Sequence, residues 1–402
     1  MRRPAWLLAL CVTAAQADWQ WSPALQVGEA GTALFPHLDA SGRKSIAVSG
    51  DTVALAWEDS RTGSPRCRLG LKRTDDKTFH EFSFGRGECF EPGLAPLDPG
   101  RFLLAWEDET GVNAAVASAA GTGTSVRLAP RGGHAAVAYR PGLGAFAAWS
   151  APEGRWQRTW LARLGLVGSD LTQLAARPAD PAPPADDQLY PVLAVAESGV
   201  TLAWEDRRLG HTVVLAVRSQ DGIDWAVPLR ISENRTGKTA GDLGRGMGAM
   251  RPSLAAFGQR IGAVWLDKRD FLSGYDVYAA IDAGQGFDTN LKTQDSFGDA
   301  IAQWHAAAAG NARGDWVIAF DDDRDGTADV WLTWWNGTGF ADNVSPPPAY
   351  GPGHQSDPAI ALDEVGNLHL AWIERADDGR ARILYARGVR PQTANKGSEK
   401  LR

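Results

Sequence analysis

The chain has 402 residues, a formal net charge of -7 at pH 7, and many glycines (45), prolines (23) and tryptophans (17). The acidic balance, with no stripe of Lys or Arg, argues against nucleic acid as a partner. After the first residues no apolar run is long enough to span a bilayer, so we do not expect a membrane-spanning protein. The composition, without helical periodicity, predicts an all-β protein of many short strands.

The first 17 residues, MRRPAWLLALCVTAAQA, have two arginines, an apolar stretch and a small-residue end. This pattern is typical of a secretory signal peptide, so we expect an exported protein that is periplasmic or extracellular. Removal of residues 1–17 takes away Arg2 and Arg3 and changes the net charge from -7 to -9. In an oxidising compartment Cys67 and Cys89 are predicted to form a disulfide, although two free thiols are the alternative.

A frame of short strands and turns repeats along the chain. Its clearest copy is residues 199–232, GVTLAWEDRRLGHTVVLAVRSQDGIDWAVPLRIS, where bulky and small residues alternate as in a strand. The aromatic residue of this frame recurs seven times, at intervals of 43 to 61 residues, as Trp57, Trp106, Trp149, Trp204, Trp265, Phe320 and Trp372. This period fits a four-stranded unit, so the repeats predict a seven-bladed β-propeller of four-stranded antiparallel blades.

The two ends of the repeat region complete one another. The segment DWQWSPALQVGE, from Asp18, is similar to the last strand of a blade, and the copy around Trp372 lacks a fourth strand. We therefore expect the N-terminal strand to complete blade 7, which closes the ring and removes its free edges. Residues 18–390 are predicted to form a single propeller domain, and residues 391–402 a disordered polar tail.

The repeated residues resemble a known family. The frame AW-x-D-x-R-x-G, followed by an apolar strand and by SQDGIDW at Ser219 to Trp225, resembles the sialidase-like propellers with BNR or Asp-box repeats. The resemblance covers nearly all of the chain after residue 17 and implies the propeller fold. The Arg-Ile-Pro of sialidases is absent, the nearest tripeptide being Met250-Arg251-Pro252, and sialidases have six blades. Sialidase activity is therefore kept only as an alternative.

One position immediately before the inner strand is polar in every copy of the repeat. These residues are Arg43, Glu91, His134, Tyr190, Arg251, His305 and Asp357. Because inner strands line the axial channel, we expect the seven side chains to form a ring at its mouth, with Trp304 beside it. Dissimilar polar groups next to an aromatic side chain are typical of a sugar site, so the ring predicts binding of a glycan or similar polar ligand.

Other functions stay open from the sequence. In the predicted ring Arg43 lies between Glu91 and Asp357, and these two carboxylates, together with Tyr190, are the candidate catalytic groups of an exo-acting glycoside hydrolase. A second alternative is a protein-protein interaction scaffold that uses the long loops between blades. The structural explanation of the ring is that polar residues of any kind are tolerated at a wet channel mouth.

Two further motifs concern the turns after the aromatic strand. Residues 321–329, DDDRDGTAD, match D-x-D-x-D-G-x-x-D, a hairpin calcium loop of other propellers, and predict a structural Ca²⁺ ion; an ordinary acidic turn is the alternative. The predicted ligands are Asp321, Asp323, Asp325 and Asp329. The repeated Asp-x-Arg, as in Asp206 and Arg208, is interpreted as structural, with the Asp capping its own turn and the Arg joining neighbouring turns.

Overall fold

A computed structural model of the chain describes residues 19–31, 34–38, 44–232, 248–269 and 274–390. The predicted signal peptide, the predicted tail and Arg43 lie outside these ranges. The described residues form seven antiparallel sheets arranged around an axis, with two single-turn 3-10 helices, Gly298–Ala300 and Pro347–Ala349. The prediction of an all-β, seven-bladed propeller is confirmed.

Each blade is a meander whose strands follow one another in chain order, starting with the innermost. Blade 1 has the strands Ile46–Ser49, Thr52–Asp59, Arg66–Arg73 and His80–Phe84. Blade 2 has Cys89–Asp98, Arg101–Asp108 and Gly111–Ser118, with Gly121–Thr122 and Val126–Ala129 both paired to the third of these. Blade 3 has Gly133–Arg140, Gly144–Glu153, Trp156–Val167 and Asp170–Pro178. Blade 4 has the strands Gln188–Ala196, Gly199–Asp206, Val213–Ser219 and Leu229–Arg230. Blade 5 has Ala249–Phe257, Arg260–Asp267, Asp276–Asp282 and Leu291–Lys292. The strands of blades 6 and 7 are Trp304–Gly310, Trp316–Asp322 and Asp329–Trp334; and His354–Leu362, Leu368–Arg375 and Ala381–Val389.

The N-terminal strands close the ring as predicted. Gln20–Trp21 and Leu25–Gly31 pair with Ala381–Val389, the third strand of blade 7, and so supply its missing outer strand. The innermost strands of consecutive blades pack side by side, and that of blade 7 packs on that of blade 1. Because every inner strand has a neighbour on both sides, the circle leaves no inner edge open to another chain.

Blade 6 departs from the four-stranded expectation. Its fourth segment joins the third strand through isolated bridges, Leu332 with Val344 and Trp335 with Phe340, and not through a strand, so the sheet has three strands. Three prolines, residues 346–348, follow Val344, and a proline has no backbone N–H with which to extend the pairing.

The core between blades has one bulky and one small face, as the alternation in the sequence predicts. Trp204 is fully buried and belongs to the same apolar cluster as Ala138, Phe146 and Ala148 of blade 3. The small residue beside it, Ala203, belongs to the next cluster, together with Trp265 of blade 5. Each blade thus places its aromatic residue against the small residues of the blade before it, which sets the stacking order around the ring.

The Asp-x-Arg turns have the structural role that the sequence predicts. Asp206 is fully buried and accepts hydrogen bonds from the indole N–H of Trp204 (3.2 Å), from the backbone N–H of Arg208 (3.0 Å) and from its guanidinium (2.7 and 2.6 Å). The same guanidinium lies 2.7 Å from Asp180, in the connection from blade 3. The Asp therefore caps its own turn, and the Arg joins that turn to the preceding connection.

The predicted disulfide is confirmed. Cys67, in the third strand of blade 1, is bonded to Cys89, at the start of blade 2, with a Cα–Cα distance of 5.3 Å. The bond therefore joins two blades rather than two strands of one sheet.

Within the described ranges, no helix is long and apolar enough to cross a membrane.

Candidate functional site

Six of the seven predicted ring residues lie in the described ranges, and each begins a β-bulge. In blade 2, Phe90 pairs with Glu107 and Gly93 with Ala105, so Glu91 and the residue after it face one residue of the partner strand. The same shift occurs in blades 3 to 7. The first bulged residue has a left-handed backbone in all six: Glu91 (φ 52°), His134 (56°), Tyr190 (52°), Arg251 (55°), His305 (50°) and Asp357 (55°).

These six are also the only residues other than glycine with a positive φ in the described part of the chain. A Cβ atom in this region costs about 1–2 kcal/mol, whereas glycine adopts it freely. Blades 2 to 7 share the conformation, but the fold does not require a large polar side chain there. Because residues held in such conformations cluster at functional sites, the six side chains mark the channel mouth as the candidate site.

Carboxylates of neighbouring blades hold the bulges in place. The backbone N–H of Glu91 donates to Glu58 (2.7 Å), and that of Arg251 donates to Glu205 (2.7 Å). Glu205 is only 2% exposed, and burial raises the pKa of its carboxyl group. Both acceptors directly follow the aromatic residue of the preceding blade. Each bond satisfies an N–H group that the bulge removes from the sheet, so the ring conformation is fixed from outside its own blade.

One arc of the ring runs over blades 2 to 5. Glu91 Oε2 lies 3.9 Å from His134 Nε2, and the His134 and Tyr190 rings are 4.1 Å apart between centroids. The guanidinium of Arg251 stacks 3.6 Å above the Tyr190 ring on a neighbouring blade. Arg251 also lies 3.8 Å from Glu205. This arc therefore presents a carboxylate, an imidazole, a phenol and a guanidinium in sequence, fixed by contacts between blades.

A second arc, over blades 6 and 7, is centred on His305. Its Nδ1 lies 2.7 Å from Asp321 Oδ1, and its Nε2 lies 3.5 Å from Asp357 Oδ1. Although burial alone would lower it, the hydrogen bond to Asp321 and the charges of Asp321 and Asp357 raise the pKa of His305 to about 9. Arg375 lies 3.7 Å from the other oxygen of Asp357. This arc therefore places the imidazole of His305 between two aspartates, which favour its protonated form.

His37 lies where blade 1 should complete the circle. Its Nδ1 lies 3.4 Å from Glu58, whose hydrogen bond raises the pKa of His37, and the charges of Asp357 and Glu91 raise it further. The sequence alignment placed Arg43 at this point of the ring. His37 pairs with Glu58 and Ser45 accepts from the backbone N–H of Ala56, so the chain has seven residues between these two positions where the other blades have two. Arg43 is one of the seven and lies outside the described ranges.

An aromatic surface stands beside the second arc. Trp304, directly before His305, is 41% exposed, and its ring contacts Tyr275 edge to face at 5.3 Å between centroids. Most other tryptophans of the described chain are buried between blades or at least half-buried. An exposed indole next to fixed polar groups can pack on the apolar face of a sugar ring while those groups bind its hydroxyls.

The predicted calcium ligands Asp321 and Asp329 have protein partners in the structure. Asp321 turns its carboxylate to His305 and to the backbone N–H of Asp357 (3.2 Å), so it serves the ring instead. Asp329 accepts from the backbone N–H of Gly351; burial and then the charges of Asp325 and Asp322 raise its pKa. No group of three His, Cys, Asp or Glu residues in the described ranges is arranged to hold a metal ion. Calcium at this turn stays a prediction.

The sequence interpretation overlooked the residues that support the ring. Glu58, Glu205 and Asp321 follow the aromatic residue of their frames, and the repeated AWED was a visible signal for the first two. Glu107 has the same place in blade 2, and its carboxylate lies against Gly133, where a Cβ atom would come within 1.7 Å. His37 and Arg375 follow no repeat and could not have been found in this way.

No protein-family model and no curated protein sequence matches this chain. Solved structures with the same fold include the polysaccharide lyase Uly1 (TM-score 0.57, 10% identity, 86% of this chain and 90% of that one). A Dyadobacter fermentans protein of unknown function has a TM-score of 0.53 at 10% identity (93% and 100%). A Penicillium chrysogenum α-L-arabinanase has a TM-score of 0.48 at 10% identity, over 91% of this chain and 98% of that one. At this identity the similarity shows the fold alone.

Proposed function

We propose that the protein binds a glycan at the channel mouth, through the ring of polar residues and the indole of Trp304. The observation that carries the proposal is the occupancy of the six left-handed positions. A purely structural ring would favour glycine at these positions, since glycine removes the strain. The chain instead has a Glu, two His, a Tyr, an Arg and an Asp there. Together they offer hydrogen-bond donors, acceptors and both signs of charge to the hydroxyls of a sugar.

The class of ligand follows from the polarity of the site. Hydroxyl-rich ligands are recognised by several fixed polar groups beside one aromatic face, and the two arcs with Trp304 have this composition. Uly1, which has the same fold, is a polysaccharide lyase, and this is consistent with a carbohydrate ligand. The resemblance to sialidase-like propellers points to the same class, and sialidase chemistry itself remains the narrower alternative.

Cleavage of the bound glycan is the second candidate, and two arrangements favour it. Glu91 of blade 2 and Asp357 of blade 7 are ring residues on the two sides of blade 1, and hydrolysis of a glycosidic bond requires a pair of carboxyl groups. Tyr190 lies between His134 and Arg251, which suits an elimination: the Tyr190 oxygen would take the proton next to a sugar carboxylate that the Arg251 guanidinium neutralises, a C=C bond would form, and the glycosidic C–O bond would break, its oxygen leaving as a protonated hydroxyl. The first arrangement would release a saturated sugar and the second an unsaturated one.

A glycan array probed with the protein tests binding, and product analysis on every hit tests cleavage. We expect at least one glycan to bind to the wild type and to bind at least tenfold more weakly to Arg251→Ala and His305→Ala. Release of sugar that Glu91→Gln or Asp357→Asn abolishes would assign hydrolysis, and an unsaturated product lost in Tyr190→Phe would assign elimination. Normal binding by both ring variants would reject the site, and no binding to any glycan would favour the scaffold alternative.

A further inference from the structure

A cleft of about 700 Å³ lies between blades 7 and 1, at the point where the N-terminal strands close the ring. Its lining includes Trp21, Thr74 and Arg387. Thr74 follows the third strand of blade 1, at the end of the sheet where Arg73 pairs with Thr52 and opposite the end that carries Glu58. The cleft is therefore on the face of the propeller away from the ring residues, and its volume is within the range of small-molecule sites, about 300–1,000 Å³.

Lys72 lines this cleft and is a buried cation without a carboxylate partner. It is 8% exposed, and its ammonium donates to the backbone carbonyls of Arg73 (2.9 Å) and Thr74 (3.0 Å). Within the described ranges no carboxylate oxygen lies within 4 Å of the ammonium. Since an ammonium has three donors, one remains for a ligand. Buried charges in proteins are ordinarily paired, so this arrangement is incomplete.

A second cation, Arg387, also lines the cleft. Its side chain is 28% exposed, and its guanidinium lies 3.6 Å from Asp363, a longer distance than a direct hydrogen bond. Burial lowers the pKa of Lys72; Asp76 and Asp75 oppose this shift, and the charge of Arg387 adds to it. With Lys77, the lining has three cations and one carboxylate, that of Asp76. The charge of this cleft is thus opposite in sign to that of the protein as a whole.

We propose that the cleft binds the anionic group of a small ligand, a carboxylate, sulfate or phosphate, between Lys72 and Arg387. An oxyanion would accept hydrogen bonds from the remaining donor of the ammonium and from the guanidinium of Arg387, whose side chain is 28% exposed, and both bonds would be charge-assisted. A free oxyanion occupies only a small part of the volume, and Trp21 forms a wall along which a sugar-sized remainder can lie. The site is separate from the glycan site at the channel mouth and does not depend on it.

Isothermal titration calorimetry at constant ionic strength tests the proposal, with sulfate, phosphate and glucuronate as probes and glucose as the neutral control. We expect saturable binding of at least one anion and none of glucose. Affinity should fall at least tenfold in Lys72→Gln and in Arg387→Gln. Arg73→Gln is the matched control, because Arg73 is exposed at the same end of blade 1 and pairs with Asp51. It should bind like the wild type, as should the ring variant Arg251→Ala.

The outcomes separate the sources of the anion and decide the proposal. Tighter binding of glucuronate than of sulfate would assign an acidic sugar, and equal or tighter binding of the inorganic ions would assign a free oxyanion. Absence of saturable binding for all three anions would overturn the site. An equal loss in Arg73→Gln would also overturn it, because the effect would then be general electrostatic attraction. If Arg387→Gln does not fold, Lys72→Gln alone decides between these results.

Discussion

The carboxylate of Glu205, in blade 4, accepts a 2.7 Å hydrogen bond from the backbone N–H of Arg251, the first bulged residue of blade 5. This bond joins two features that are separate in the sequence, the acidic residue after an aromatic residue and the polar residue that begins the bulge of the next inner strand. The same bond occurs between two other pairs of neighbouring blades. The carboxylate of Glu58 accepts from the backbone N–H of Glu91, and that of Asp321 accepts from the backbone N–H of Asp357. In these three pairs, one blade positions the bulged ring residue of the next.

The left-handed conformation of Arg251 gives a prediction that separates strain from function. Arg251→Ala and Arg251→Gly remove the same side-chain contacts and differ only by a Cβ atom at φ 55°. Because glycine adopts this conformation freely, the Gly variant should be more stable than the Ala variant by about 1 kcal/mol in urea unfolding. Both should lose glycan binding. Ala256→Gly, at an extended position of the same strand, is the control and should be destabilising by about 0.5–1 kcal/mol.

The pKa of His305 predicts a dependence of stability on pH. The value in the folded protein, about 9, lies above the ordinary value of 6.5, so the folded state holds the proton more tightly. The stabilisation is therefore complete below about pH 6.5, decreases as the pH rises, and is lost above about pH 9. The difference in unfolding free energy between the wild type and His305→Gln should shrink over this interval. A difference that stays constant from pH 6 to pH 9.5 would contradict the assignment.

The buried turn carboxylate of Asp206 should be among the most sensitive positions of the fold. Asp206→Ala leaves the indole N–H of Trp204 and much of the Arg208 guanidinium without their acceptor inside the protein. We expect a loss of about 3–5 kcal/mol in the free energy of unfolding. Asp378→Ala is the matched control, because Asp378 pairs with Arg380 in a turn of the same spacing whose side chains are exposed. Asp378→Ala should change the free energy of unfolding by no more than about 0.5 kcal/mol.

The disulfide between Cys67 and Cys89 should stabilise the contact of blades 1 and 2. It closes a step of 22 residues, for which the restriction of the unfolded chain is worth about 3 kcal/mol. Urea unfolding with and without a reductant measures this contribution. The Cys67→Ser, Cys89→Ser double variant should match the reduced wild type and should not respond to the reductant. Equal stability of the oxidised and reduced protein would refute the prediction.

The fold could be predicted because its signal is periodic. The seven aromatic residues at Trp57 to Trp372 repeat with the blades, and the bulky-on-small packing of Trp204 follows directly from that alternation. The ring position before the inner strand could be predicted for the same reason, since a repeated backbone conformation occurs at a repeated spacing. The prediction from spacing did not apply to blade 1, because this blade has seven residues between two pairing positions where the other blades have two. Counting back from Trp57 therefore selected Arg43.

The partners of the ring residues were harder to predict, because they depend on contacts between blades. In the sequence Asp321 belongs to an acidic turn that matches a calcium loop, and in the structure its carboxylate contacts His305. The partner that the carboxylate contacts depends on the strand register, which the motif does not specify. The cleft at Lys72 could not be predicted from local sequence either, because its walls come from segments near the two ends of the chain.

The measurement that tests the central claim most directly is calorimetric titration of the glycan that binds best on the array. The wild type is compared with Arg251→Gly, which removes a ring side chain without adding strain, and with Arg73→Gln on the opposite face. The account predicts at least a tenfold loss of affinity in Arg251→Gly at undiminished stability, with Arg73→Gln unchanged. Wild-type affinity in Arg251→Gly would contradict it, because the ring would then be only part of the scaffold.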